Sequence, residues 1–228
     1  MSAVLLMRIQ APLQSWGTQS NFTIRDTGRE PSKSAIIGLI CAAMGRSRQE
    51  PVDDLAGLKM GVRVDREGRL SWDYQIAQNV LQSNLGGKKD SIPSTRYYLA
   101  DAVFLVGLEG ETELLQKIHH ALQHPKWQLF FGRKAFPPAQ PIWLQDGIRE
   151  GEELSEVLKT YPWLVHPDKT RNRPSTLRLI LEDAHGLEAR TDQPISFAER
   201  KFGQRRVNIS LIPCPEKSIE EEPCTYPG

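Results

Sequence analysis

Residues 31–45, PSKSAIIGLICAAMG, set a polar, cationic entry directly against the most apolar helix candidate in the chain. Pro31 and Ser32 stop the preceding segment. Ser32 or Ser34 can accept from the orphan N–H groups of a first turn, and Ala35, Ile36, Leu39, Ile40, Ala43 and Met44 recur at helical spacing. Gly45 closes the helix. Lys33 is the anomaly, because a cation at a helix N-terminus opposes the macrodipole by about 0.3–1 kcal/mol unless an anion sits there too. A phosphate would supply that anion; a solvated lysine ahead of a buried helix is the plainer alternative.

Working outward, Val4 to Ile9 reads as a central strand, with Val4, Leu6 and the stem of Arg8 on one side and Leu5, Met7 and Ile9 on the other. PLQSWG (12–17) is a turn-rich segment whose tryptophan either plugs a core or stands on a binding face, and Asn21 to Glu30 reads as an exposed loop. Beyond the helix and a connector from Pro51 to Leu58, Met60, Val62 and Val64 alternate with Gly61, Arg63 and Asp65. A hairpin turn at Glu67-Gly68 then leads to a partner strand bearing Leu70, Trp72 and Tyr74. Strand, helix, strand, strand is the first part of a ferredoxin-like βαββαβ unit.

Gln75 to Thr95 is rich in Gln, Asn, Ser and Gly with little apolar periodicity, and is expected to be a long irregular loop or arm, either for binding or merely floppy. Tyr98 to Leu108 resumes the sheet as one buried strand. Glu111 to His124 is a second helix with a Leu114, Leu115, Ile118 and Leu122 stripe, and Trp127 to Phe131 closes the unit as a strand. From Gly147 a smaller half follows: a helix near Glu152 to Lys159, a basic loop, a hairpin from Leu177 to Arg190 and a last strand near Val207 to Ile212.

The 228 residues can bury a core without disulfides. Cys41, Cys214 and Cys224 form no C-x-x-C pair, so neither a disulfide framework nor a zinc site is indicated and a reducing cytoplasm fits. MSAVLLMRIQ has too short an apolar run for a signal peptide, and no stretch approaches a membrane span. A formal net charge of +1 argues against coating nucleic acid by bulk attraction. Two local clusters are basic, however: Lys159, Lys169, Arg171, Arg173 and Arg178 against Asp168, and Arg200, Lys201, Arg205 and Arg206 against Glu199. Each could follow a phosphate backbone or be a solvated loop.

His120 and His124 sit four apart at the end of the second helix, where exposed residues complementing the helix C-terminus are favoured over a metal pair lacking a third ligand. Gly132-Arg133-Lys134 brings a flexible backbone and two cations to the end of the expected closing strand, ahead of Pro137, Pro138 and Pro141. The glycine would let a phosphate approach the main chain while the cations neutralise it; a plain glycine turn is the alternative.

Taken in order, PLQSWG, TGREPSKSAIIGLICAAMG, TRYYLADAVFLVGL and LFFGRKAFPPAQP resemble the RAMP-type, repeat-handle-binding subunit of CRISPR Cascade complexes, the CasD family of type I-E systems. The match runs from the first strand to about Leu144 and continues more weakly around Pro194 to Val207. The resemblance implies an α+β fold: a ferredoxin-like, RRM-related domain over residues 1–146 with a protruding thumb at about 75–95, and a smaller β-rich part over 147–228. It implies a non-catalytic subunit that binds the 5′ handle of the crRNA and caps one end of the complex. Its expected partners are a RAMP backbone subunit, the large target-recognition subunit and, through the assembly, target DNA, with no cofactor, metal or membrane.

On that resemblance Gly132, Arg133 and Lys134 are the first choice for a phosphate cradle, with Arg96 and Tyr97 at the base of the thumb for a phosphate and a stacked base. Gln14, Ser15 and Trp16 would supply base-edge contacts and stacking, Lys33 and Ser34 would complete the site, and Gly86, Gly87, Lys88 and Lys89 would form the thumb tip. Relatives that cut the crRNA precursor themselves make a metal-independent endoribonuclease the alternative, for which Lys117, His119 and His120 are the sensible group. The first helix offers no tyrosine. A scaffold with only protein contacts is the second alternative.

Overall fold

The computed structural model describes residues 2–17, 23–81, 86–165 and 173–218. Lys169, Arg171 and Cys224 lie outside them. Among the described residues, eleven strands and four helices run in the order β1 (Ser2–Gln10), β2 (Leu13–Gln14), β3 (Ile24–Arg25), α1 (Lys33–Met44), α2 (Asp53–Ala56), β4 (Lys59–Arg66), β5 (Arg69–Leu81), β6 (Lys88–Ala100), β7 (Val103–Glu111), α3 (Thr112–Gln123), β8 (Trp143–Glu150), α4 (Leu154–Thr160), β9 (Thr176–Glu182), β10 (Glu188–Ser196) and β11 (Lys201–Pro213). The main sheet has the order β10-β11-β9-β4-β7-β1-β8, and every pairing in it is antiparallel.

Both faces of this sheet are covered, which is why its central strands read as apolar runs. Ala3, Leu5, Met7 and Ile9 of β1 face a core shared with α1 and α3, whereas Val4 and Leu6 face a second cluster built with Leu154, Val157 and Leu158 of α4. Helix α1 forms where expected: the Ser32 side chain caps the Ala35 N–H, and Gly45 ends the helix in the left-handed conformation at φ 73°. Helix α3 buries Leu115, Ile118 and Leu122.

Several expectations are corrected. Trp127 to Phe131 is not a strand. The Lys126 and Trp127 N–H groups donate to Ala43 and Ala42 O at the end of α1, and Phe131 N donates to Phe136 O, so the segment closes on itself. Its place beside β1 is taken by β8, within which the expected boundary at 146/147 falls. The Glu67-Gly68 turn does not make a hairpin, because both edges of β4 are occupied by β7 and β9; β5 instead leaves for a second sheet.

There β5 pairs along its length with β6, so Gln75 to Thr95 is a regular hairpin arm rather than an irregular loop. Its residues 82–85 lie outside the described ones. The single strand expected from Tyr98 to Leu108 is broken at Asp101, φ 60°, where the chain crosses from the second sheet to the first. Strands β9 and β10 do not pair with each other as a hairpin, since β11 lies between them.

Candidate nucleic-acid interface

The base of the arm, the first loop and the segment after Phe131 meet at one place. Gln14 and Trp16, 0% and 2% exposed, are interior groups. Gln14 Nε2 donates to Ala102 O at 2.7 Å, and Trp16 Nε1 donates to Gln14 Oε1 at 3.2 Å. The Trp16 ring packs tilted against Phe131 at 5.6 Å. Ser15, also buried, ties two segments together: its N–H donates to Phe131 O at 3.1 Å and its hydroxyl to Tyr97 O at 3.3 Å. These three residues therefore position the site from behind and offer no base-edge contact, which corrects the expectation for them.

Gly132 is exposed at φ 83°, and a Cβ there would lie 1.8 Å from the Ser15 carbonyl oxygen. The glycine is required by this close approach of two backbones. Next to it, Arg133 is half-buried: Nη2 donates to Tyr97 O at 2.8 Å and the guanidinium lies 5.5 Å from the Phe136 ring centroid. Phe136 in turn packs against Tyr98 at 6.1 Å. Lys134 is exposed.

Register places Arg96 opposite Asp73 of β5 and beside Arg25 of β3. Burial pulls the Arg133 guanidinium below its usual value, Asp73 opposes that, and Arg96 and Arg25 add to it. Three guanidiniums thus share one face with the Asp73 carboxylate, whose Oδ1 is buried and has no hydrogen-bond partner among the described residues. Sequence reasoning missed Arg25 and Asp73, because nothing in a two-residue strand or a surface carboxylate signals this register. Tyr97 does not join Arg96: consecutive strand residues alternate, and Tyr97 faces the other side, opposite Trp72.

Lys33 is corrected outright. Its side chain is 1% exposed with Nζ on both Glu182 oxygens at 2.9 and 3.0 Å, and its backbone N–H donates to Asp192 Oδ2 at 2.7 Å. Burial lowers its pKa and Glu182 counters. The anion at the helix N-terminus is a carboxylate of the chain, itself gripped by Arg205 at 2.7 and 2.9 Å. Ser34 is half-buried with its hydroxyl 3.3 Å from that of Ser32. Lys33→Ala is expected to cost about 1–3 kcal/mol of folding stability and to leave the folded protein's RNA affinity unchanged. Urea titration and filter binding at the same salt check both halves.

In the second basic cluster Arg205 holds Asp192 and Arg206 donates to Gly186 O, while Arg200 and Lys201 are exposed; the described members of the first are partnered within the chain. Arg178 pairs with Glu30 at 3.0 Å and Glu67 at 2.7 Å, Lys159 pairs with Glu156 at 2.7 Å, and Arg173 stacks over Trp163. The alternative catalytic group lies on α3. Lys117 and His120 are exposed, while His119 lies edge-on to Trp143 with Nε2 3.1 Å from Gln123, burial lowering its pKa. His120 and His124 face each other at 4.7 Å, and among the described residues no three His, Cys, Asp or Glu gather as a metal site. No helix among them is long and apolar enough to cross a membrane.

A mixed α/β scaffold, mostly sheet, with an uneven cationic face at the root of a projecting hairpin is the kind of surface that holds an anionic backbone. A family model described as CRISPR-associated protein (Cas_Cas5) matches residues 4–208, and the chain belongs to that family. It is similar to the CRISPR system Cascade subunit CasD of Escherichia coli (strain K12), with 28% identity over 176 residues, 71% of this chain and 78% of the relative. Among solved structures, one described as a Cas protein superposes with a TM-score of 0.77 at 43% identity, covering 93% of this chain and 98% of the other. A chain of a CRISPR RNA-guided surveillance complex superposes with a TM-score of 0.76 at 31% identity, covering 93% and 91%.

Proposed function

We propose that this chain is a non-catalytic subunit of a type I-E Cascade surveillance complex that holds the 5′ handle of the crRNA and caps one end of the assembly in the cytoplasm. Its neighbours are a RAMP backbone subunit and the large subunit that inspects target DNA. The strand order β4-β7-β1-β8, with α1 and α3 packed on one face, supports a ferredoxin-like, RRM-related core. The β5–β6 hairpin corresponds to the thumb, with Gly86, Gly87, Lys88 and Lys89 toward its tip, and β9–β11 to the smaller C-terminal part.

The observation that carries this reading is the face shared by Arg25, Arg96 and Arg133 in a chain of this family. Single-stranded RNA bent across it sets phosphates on those guanidiniums and on Lys134, with the exposed main chain at Gly132 close by. Gln14, Ser15 and Trp16 hold the backbone from which these cations project. Lys33 and Ser34 take no part.

Arg96→Gln and Lys134→Gln are each expected to weaken handle RNA binding uniformly across sequences and to flatten the dependence of log affinity on log salt by about 0.7 for each phosphate left without its cation. Binding is measured with the RAMP neighbour present, because the site is shared. An unchanged salt slope in the combined variant supports a scaffold role in place of RNA holding. The endoribonuclease alternative is tested by incubating the purified chain with its repeat RNA: intact RNA is expected, and cleavage abolished by His120→Ala would overturn the proposal.

A further inference from the structure

The β5–β6 arm has two unlike faces. Strand alternation puts Leu70, Trp72, Tyr74 and Ile76 on one side, with Tyr97 opposite Trp72, and sends Asp73 and Arg96 to the other. Ile24 of β3 joins the apolar side through its register with Thr95. Trp72, Tyr74 and Ile76 are 62%, 59% and 56% exposed. Single exposed apolar groups need no explanation, but a contiguous stripe marks a surface that is covered in use.

The outer edge of β5 adds a second observation. Among the described residues, β5 pairs only with β6 over Arg69–Leu81, so its other edge presents a row of main-chain donors and acceptors. A long unpaired edge is a template for a further strand, and native chains blunt such edges with charges, prolines or bulges when nothing is meant to pair with them; β5 carries Arg69 and Asp73 only on its other face and Asn79 at φ 53° near its far end. Here no blunting charge or proline appears on the apolar side of β5.

Charge decides the kind of partner. On the apolar side no charged residue stands between Leu70 and Gln78 or, across from them, between Ser91 and Leu99; the first cation met there is Lys89, opposite Val80. RNA on this side would leave its phosphates without counter-cations, because Arg25, Arg96 and Arg133 all belong to the opposite side. An extended protein segment needs none: main-chain hydrogen bonds to the edge supply the pairing, and alternate apolar side chains fill the stripe.

We infer that the outer edge of β5, with its apolar face, takes an extended, uncharged segment of another protein subunit as an added strand. This rests on the reading of the chain as part of a crRNA-holding assembly and deepens it, giving each face of the arm its own partner. The arm is then a divider, with RNA on the guanidinium side and protein on the aromatic side. The added strand also explains why a ribbon without a core of its own keeps regular pairing along β5 and β6.

The test uses the assembled complex with the photoreactive amino acid p-benzoylphenylalanine introduced at position Tyr74 in one preparation and at Arg96 in another. Irradiation is expected to join the Tyr74 probe to a different protein chain and the Arg96 probe to RNA. In hydrogen exchange, the β5 amides are expected to slow at least tenfold in the complex and to be unchanged when handle RNA alone is added. The inference is overturned by a Tyr74 crosslink to RNA, by a Tyr74 crosslink to a second copy of this chain, or by β5 amides that exchange equally fast alone and assembled. Loss of the Arg96 crosslink to RNA with the Tyr74 crosslink to protein retained would instead sink the RNA assignment and leave the added strand standing.

Discussion

Arg63→Ala is expected to lower the unfolding free energy by about 3–5 kcal/mol, the range for removing one partner of a buried ion pair. The Arg63 side chain is 0% exposed. Nε and Nη2 engage the two Asp65 oxygens at 2.6 and 2.8 Å, Nη1 donates to Leu158 and Tyr161 O, and Nη2 also donates to Pro162 O at 2.8 Å. Asp65 meanwhile accepts from Leu164 N at 2.7 Å, and its carbonyl accepts from Trp163 Nε1 at 2.9 Å. The pair thus bolts the segment after α4 onto β4. Truncation strands a buried carboxylate and three carbonyls at once, so the loss exceeds that of an ordinary hydrogen bond.

The control is Arg63→Met with Asp65→Leu, which removes both charges and is expected to cost less than Arg63→Ala alone. Urea titration of the two variants checks the ordering. A loss under about 1 kcal/mol for Arg63→Ala would mean that water replaces the guanidinium and that the clamp is dispensable.

Arg63 also marks where the sequence is legible and where it stops being so. Alternation of Met60, Val62 and Val64 with Gly61, Arg63 and Asp65 identifies the strand and its two faces correctly. It cannot tell that the polar face is covered, because α4 comes from nearly a hundred residues away in the chain. Lys33 repeats the lesson: the need for an anion at the entry of α1 is visible in fifteen residues, but Asp192 and Glu182 lie 159 and 149 positions distant. Helix α1 and strand β1 were legible because burial on nearly every side writes long apolar stretches into them. The arm was not, since a ribbon exposed on both faces has no core to impose a period on Gln75 to Ser94. At the site, Arg133 and Lys134 stood out as cations beside a glycine at an expected strand end and Arg96 came in through the family resemblance, whereas Arg25 and Asp73 joined them only through strand register.

Gly132→Ala is expected to destabilise the protein by about 2–3 kcal/mol and to weaken RNA binding in parallel. Two separate costs arise. At φ 83° a side chain is strained wherever it points, and the added carbon would fall 1.8 Å from Ser15 O. That carbonyl cannot retreat freely, because Ser15 N is held by Phe131 O and the neighbouring Trp16 N by Thr27 Oγ1 at 2.9 Å. Relief must come from the 131–136 loop, which carries Arg133 away from Tyr97 O and so moves the guanidinium relative to Arg96 and Arg25. Arg96→Gln separates this from a direct phosphate role, since it removes a cation without touching either backbone and is expected to lower affinity at unchanged stability. Should Gly132→Ala keep full stability and lose RNA alone, the glycine would be there to admit a phosphate. Loss of both together makes it the hinge point on which the whole cationic face is set.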